Sequence, residues 1–420
     1  MIKLISCLSN KKKIIKKILF TLVIVLIYFI GTQIYIPFHT KKEYIFWRSN
    51  ITNNQNNILS LFDHNNSLTL LSLSVFPYVT ASIIIQLGQK ILPFLIEWQE
   101  QGEKGKYKIN IVTRILTILI ALGQGWAIIK SLTLWDVMAG YKYANILVDL
   151  FFLVVGVFIC IWLADLITSK GLGNGISILI AIGISEKLYK TFFYLLNFDN
   201  NQDLLVRSLV LISFLVLLIL TIVLSTAYLK IPIYYAVDKN NDKIDKHIPF
   251  KLNTSGILPI ILADTFLNIF SYIKILFNND KVNNFLQIFI KSRSNLGIYF
   301  FLYLLLILLF SFFSSFMAIN PKDVAEHLSK QNAYLKDVKP GISTVKKLTH
   351  EIFKLTCIGS LFLTLLAACP QIINYFVGPD ISSQIQFGGT SFLIIVGVAI
   401  ESIQNLKTED NVKKQYNTFF

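Results

Sequence analysis

What this 420-residue chain has little of limits its chemistry before anything else does. Its four cysteines, Cys7, Cys160, Cys357 and Cys369, show no CxxC spacing and fall mostly in or beside apolar runs. They are read as small hydrophobes rather than as disulfides or metal ligands. The five histidines are scattered with no HExxH pair, so no metal site is predicted. A single glycine-rich turn, GLGNG at Gly171–Gly175, follows no predicted strand and is not followed by Lys-Ser/Thr, so it does not make a phosphate-binding loop. No nucleophile, base and orienting group come together along the chain. The protein is therefore not read as an enzyme, and no cofactor is expected. Acidic residues are scarce as well, 24 against 39 Lys and Arg, which leaves a formal charge of +15.

What is present is apolar and clustered. Hydrophobic residues make up 54% of the chain and occur in runs near the length that a membrane helix requires. Crossing a ~30 Å hydrocarbon core takes about 20 residues at 1.5 Å each. The chain is read as an all-α polytopic membrane protein with ten apolar segments. They lie at about Ile18–Ile36, Thr69–Pro93, Ile111–Leu132, Ile146–Leu166, a fifth that begins after the GLGNG turn, Leu204–Leu229, Ser255–Ile273, Leu296–Ile319, Glu351–Phe376 and Gly388–Ile403. When the segments are drawn through a bilayer, the basic residues fall roughly two to one on one side, which predicts both termini in the cytosol. The basic stretch Lys11–Lys17 ahead of an apolar run has the look of a signal peptide. The run continues to Ile36 without a small-x-small site, so a retained first helix is expected. Asp149 and Asp165 fall at the two ends of the fourth segment, where a carboxylate is expected to reach water.

The stretch around which the rest is arranged is Ser74–Leu87, SVFPYVTASIIIQL. A proline in an apolar run is tolerated at membrane depth when neighbouring helices satisfy the freed carbonyl. Val75, Val79, Ile83 and Leu87 share one helical face. The following residues, Glu97–Thr113, read as a charged loop leading to Arg114.

The order PYVTASIIIQL, QGEKGKYK, TRILT between Phe76 and Arg114 resembles the second helix, first large cytosolic loop and third helix of the SecY family, the channel subunits of the Sec preprotein translocase. GLGNGISILIAIGI at Gly171–Ile184 resembles that family's turn into its fifth helix. IPIYYA and IPFKLNTSG resemble its loop between helices six and seven. Asn320–Leu348 resembles its third cytosolic loop, and FGGTSFLIIVGVAIESIQ at Phe387–Gln404 resembles its last helix.

The resemblance implies a SecY fold of ten transmembrane helices in two inverted five-helix halves, residues 1–196 and 204–405, joined by a hinge at 197–203 and followed by a cytosolic tail at 406–420. No internal repeat is visible, so the symmetry is an implication of the family. Residues 58–68, with Leu61 and Phe62, lie where the family has its pore plug. Asp63-His64-Asn65-Asn66 stands there in place of the usual glycine pair, and an ordinary external loop is the other reading.

The function implied is a protein-conducting channel. A secondary transporter with inverted repeats is the alternative, and it would want charged sites near the midplane. Carried over residue by residue, the family's pore ring falls on Val75, Val79, Ile176, Ile180, Ile261 and Ile394. Its lateral gate falls on Thr80, Gln124 and Asn253. Docking of a motor or ribosome falls on Lys336, Lys339, Pro340 and Gly341 in loop 320–348, beside a predicted hairpin in loop 230–251. Lys339 replaces the family's usual Arg and loses its planar fork of donors. Asp264 is the one charge well inside a predicted helix and is expected to face an outer aqueous vestibule. Implied partners are SecE, SecG, the SecA ATPase or the ribosome, signal-sequence-bearing preproteins and membrane lipids. The implied location is a bacterial plasma membrane, with a plastid membrane as the other option.

Overall fold

The fold comes from a computed structural model, which describes residues 2–36, 69–133, 143–196, 204–235, 247–254, 256, 258–276, 297–335, 338–339, 341–377, 391 and 393–406. In chain order the helices are α1 Ile2–Gly31, α2 Phe76–Ile91, α3 Pro93–Glu100, α4 Glu103–Thr133, α5 Tyr143–Lys170, α6 Gly175–Leu196 and α7 Leu204–Thr226. Strands β1 Tyr228–Tyr235 and β2 His247–Lys251 follow, then α8 Leu258–Leu276, α9 Ile298–Ala318, α10 Pro321–Lys330, β3 Ala333–Leu335 and α11 Ile342–Val377. A final apolar helix, α12, spans Leu393–Leu406.

Among the described residues six helices are long and apolar enough to cross a membrane: α1, α4, α5, α7, α9 and α11. The bent pair α2–α3 passes the same test as one broken span, and α6, α8 and α12 carry shorter apolar stretches. Each of the ten segments read from the sequence falls on one of these helices. Their exposed faces are oily. On α1, Leu19, Leu22, Leu26 and Ile30 point outward while Thr21, Ile24 and Tyr28 are buried. An outer stripe of large aliphatics three and four residues apart suits a helix solvated by lipid.

The chain divides into two compact units: Met1–Phe192 with Leu267–Ser294 and Val398–Phe420, and Phe193–Phe266 with Asn295–Gly397. In the first, α4 packs on both α2 and α5, and α1 packs on α5. Ile36, Leu73, Ala121, Ile129, Leu153 and Val157 form the centre of its core, with Tyr78 at the edge. In the second, α9 and α7 pack along α11. The Thr254 hydroxyl donates to Ser315 Oγ at 2.9 Å and ties the bend before α8 to α9.

The expected hairpin is present. β1 and β2 pair antiparallel from Tyr228↔Lys251 to Pro232↔His247. The sheet has a third member that was not expected, because β3 of the following loop pairs antiparallel with the far end of β1, Ile233↔Leu335 to Tyr235↔Ala333. The two large loops are thus one small body with its own core. Ile231, Phe250, Leu328, Leu335, Leu348 and Ile352 fill it, and Tyr234 stacks on Tyr334 on the outer face.

Three boundaries differ from the sequence reading. The second apolar segment does not begin helical at Thr69, because Thr69 bridges to Tyr35, residues 70–75 form turns and α2 starts at Phe76. Pro77 therefore sits in the first turn, where its missing N–H was an orphan anyway, and Pro259 likewise is the second residue of α8. The stretch Glu97–Thr113, expected as a loop, is helical except for the turn Gln101–Gly102. Its charged side chains are exposed, and it contains no proline to stop a helix. Lastly, α11 starts at Ile342 rather than Glu351. Val345, Leu348, Ile352 and Leu355 continue the helical period into the loop core, so packing there carries the helix beyond its apolar run.

Candidate functional site

The entry to α2 is held from below. Tyr28 of α1 and Ser74 share a hydrogen bond of 3.1 Å between buried hydroxyls, and Ser74 adopts a left-handed backbone (φ 49°) that turns the chain upward into the helix. Val75 is the N-cap residue, fully buried, and its carbonyl accepts from the Val79 N–H at 3.1 Å. Val79 is half-buried one turn on. Thr80, 8% exposed, donates its hydroxyl to the Pro77 carbonyl at 2.8 Å, so that donor is satisfied inside its own helix.

Gln124 on α4 is different. It is 6% exposed, and its Oε1 has no hydrogen-bond partner among the described residues. A buried acceptor left without a donor costs about 1–3 kcal/mol, which a rearrangement that supplied a donor would recover.

The GLGNG turn has a structural explanation. Gly173 takes φ +63°, a conformation that a side chain disfavours. Asn174 caps α6, its Oδ1 accepting from the Ile176 N–H at 3.1 Å. The Gly175 N–H donates to Thr168 Oγ1 at 2.9 Å, and a Cβ at Gly175 would run into the Ala164 carbonyl. The motif thus brings the first residue of α6 against the Ala164 backbone of α5 and aims the first turn of α6. Ile176 is half-buried and Ile180 is 7% exposed, one turn apart.

In the second unit, Asn253 lies in the bend that precedes α8 rather than at the helix start, and is half-buried. On α8, Ile261 and Asp264 are half-buried and Ala263 is fully buried; on α12, Ile394 is half-buried. In the third loop Lys339 is exposed, its carbonyl accepts from Thr344 Oγ1 at 3.1 Å, and Gly341 takes φ +104° at the start of α11. Leu61, Phe62, Lys336 and Pro340 lie outside the described residues.

Two features escaped the sequence reading. Arg114 Nη2 of α4 donates to Asp165 Oδ2 of α5 at 3.1 Å, so Asp165 is an interhelical partner and not simply a boundary charge. The signal was available, because a single basic and a single acidic residue sit near facing ends of consecutive apolar segments. Asp149 was expected to reach water and is instead 1% exposed, since α5 begins at Tyr143 and draws it inside. Among the described residues no three His, Cys, Asp or Glu side chains are grouped to hold a metal ion.

The sequence model of the SecY family matches residues 69–403. The protein translocase subunit SecY of Staphylococcus aureus (strain NCTC 8325 / PS 47) is 32% identical over 434 residues, covering 100% of this chain and 99% of that protein. Among solved structures, one of a SecY protein, whose plug domain stabilises the closed state of the translocation channel, superposes with a TM-score of 0.63 at 17% identity. It covers 94% of this chain and 92% of the other. Sec61 in the canine ribosome–channel complex from the endoplasmic reticulum superposes with a TM-score of 0.58 at 17% identity, covering 94% and 93%.

Proposed function

This chain belongs to the SecY family, and from that premise we propose how its parts work as the protein-conducting channel of a translocase. It passes unfolded preproteins across a membrane and releases hydrophobic segments sideways into the bilayer. The observation that carries this is the 32% identity to a SecY translocase subunit over an alignment that covers the full length of the chain. The transporter alternative is not favoured by that relationship.

A pore that admits a moving polypeptide and holds back ions needs a constriction that adapts to its cargo and dewets when empty. Val75, Val79, Ile176, Ile180, Ile261 and Ile394 are our proposed ring. All are branched aliphatics, which supply that surface without a polar group that would keep water in place. Thr80, Gln124 and Asn253 are the proposed lateral-gate residues. Polar contacts between membrane helices contribute about 0.6 kcal/mol on average, enough to bias a seam without locking it. The unpartnered Oε1 of Gln124 supports this role most directly. Residues 58–68, with Leu61 and Phe62, are the proposed plug, and Asp264 is assigned to the outer vestibule. The two halves, 1–196 and 204–405, hinge at 197–203.

The three-stranded sheet joins the described parts of the loops at 230–251 and 320–348, which supports docking of a cytosolic motor or ribosome there. Lys336, Lys339, Pro340 and Gly341 are its proposed contacts, and the likeness to Sec61 of a ribosome–channel complex supports the ribosome as one partner. Lys339 offers a point charge where a guanidinium would offer a fork. SecE, SecG and SecA are the further partners proposed. The location is a bacterial plasma membrane with both termini cytosolic, following the bias of Lys and Arg. The channel does no chemistry of its own and takes its energy from those partners.

The test is a stalled secretory chain carrying a photo-crosslinker. Adducts to Ile176 and Ile261, with none to the outward-facing Leu119, are expected; adducts to Leu119 in place of the ring would overturn the reading.

A further inference from the structure

A helix that has crossed a bilayer and then turns through 95° runs along the bilayer surface. α2 and α3 meet at that angle. Leu92 is extended (φ −93°, ψ 118°), as the residue before a proline prefers, and Pro93 opens the next helix. α3 is then pinned from its other end. Gly102 turns the chain with φ +67°, and Gly105 lets the first turn of α4 approach so closely that a Cβ would strike the Trp98 carbonyl. Leu95, 1% exposed, is the side chain that α3 buries, and it reaches back over Gly88 of α2. The direction of α3 is therefore set by packing at both ends and in the middle.

The bend and one edge of α3 leave apolar and aromatic side chains uncovered. Ile91 is 70% exposed, and Leu92, Phe94 and Ile96 are exposed too. Phe94 and Trp98, one turn apart, meet edge to face at 5.6 Å. Lys108 of α4 places its ammonium 5.7 Å above the Trp98 ring and donates to Gln101 Oε1 at 3.2 Å. Glu97 is exposed beside Phe94, and Glu100 is exposed on the side of the helix away from the aromatic pair. An aromatic edge ending in a lysine, continuous with the outward apolar faces of α2 and α4 at Ile84, Ile111 and Ile115, is the chemistry of a helix lying in the headgroup layer.

We propose that α3 is an interfacial anchor. Its Phe94–Trp98 edge, with Ile91 and Leu92, rests on lipid at the boundary between headgroups and acyl chains and holds the end of α2 at a fixed depth. The occupant of this face is the bilayer itself. The inference goes beyond the channel reading and requires only that α2 crosses the membrane, so it can fail while the channel reading stands, and the reverse.

The test uses the full chain in phosphatidylcholine vesicles with Trp98 as the only tryptophan, Trp47, Trp126, Trp135 and Trp162 being replaced by Phe. Its emission is expected to be lost to lipids brominated near the headgroup end of the acyl chain, and less to lipids brominated near the bilayer centre or to aqueous iodide. Strongest loss to iodide would place α3 in water, strongest loss to deep bromine would make it part of a span, and loss to none would mean that protein covers it. Each of these overturns the proposal. Should that variant fail to assemble, Phe94→Cys and Glu100→Cys in the otherwise native chain give a second reading. In vesicles open to a membrane-impermeant maleimide on both faces, Glu100→Cys is expected to label over the parent background and Phe94→Cys only after detergent. Equal labelling of both before detergent overturns the anchor.

Discussion

The Arg114 guanidinium donates to the Asp165 carboxylate at 3.1 Å across fifty-one positions of sequence, and so joins α4 to α5 near the ends where both leave the apolar region. Next to lipid, either charge without the other would have to find water or be neutralised, which makes the pair a register device as much as a bond.

Arg114→Ala and Asp165→Ala should each lower the midpoint of thermal unfolding in detergent. The exchange Arg114→Asp with Asp165→Arg should recover part of the loss. A coupling of about 1 kcal/mol is expected from measured surface and intramembrane pairs. A double-mutant cycle with no coupling would show that the contact contributes nothing.

Gly175→Ala should be costly out of proportion to its size. The added methyl meets the Ala164 carbonyl, which belongs to backbone and cannot rotate away, so α6 must shift off α5. Overpacking of this kind costs about 1–3 kcal/mol. The check is thermal stability together with export of a secreted precursor in cells that depend on the variant; unchanged values for both would contradict the packing described.

At Gln124, replacement by Leu removes an acceptor that is already unpaired, so stability should stay within about 1 kcal/mol of the parent or rise slightly. If Gln124 biases the gate, the same variant should slow insertion of weakly hydrophobic signal sequences and leave strongly hydrophobic ones unaffected. A loss of stability with unchanged selectivity would count against both statements.

Leu335, 1% exposed, is the side chain by which β3 enters the loop core. Leu335→Ala should cost that small body about 2–5 kcal/mol and release the third loop from the hairpin. Trypsin cleavage after the exposed Lys330, next to β3, is the readout: faster cutting is expected, with the membrane helices still protected. Equal rates would mean that β3 holds nothing in place.

Most of the membrane body was legible before any coordinates, because the signal is local and repeated. A run of about 20 apolar residues can bury its backbone polarity in lipid only as a helix, and each of the ten runs is helical in whole or in part. The hairpin of β1 and β2 was legible for a similar reason, its alternating short runs flanking a polar stretch. Residue choice in the GLGNG turn was visible too, although its purpose was not. Gly175 is required by the approach of Ala164, which is distant enough in the chain that no local rule would bring them together.

Contacts between distant segments decided the rest. β3 is three residues long and has no pattern of its own; it is a strand because β1 offers it an edge and a core accepts Ala333 and Leu335. α11 runs past its apolar stretch because that same core takes one face of its polar first turns. The partnership of Arg114 with Asp165, the burial of Asp149 and the right-angled course of α3 share this origin. Hydrophobicity tells each segment whether to enter the membrane, since every residue contributes to that transfer independently. Where charges meet and where a helix bends depends on which neighbour arrives alongside, and that is a property of the packed molecule.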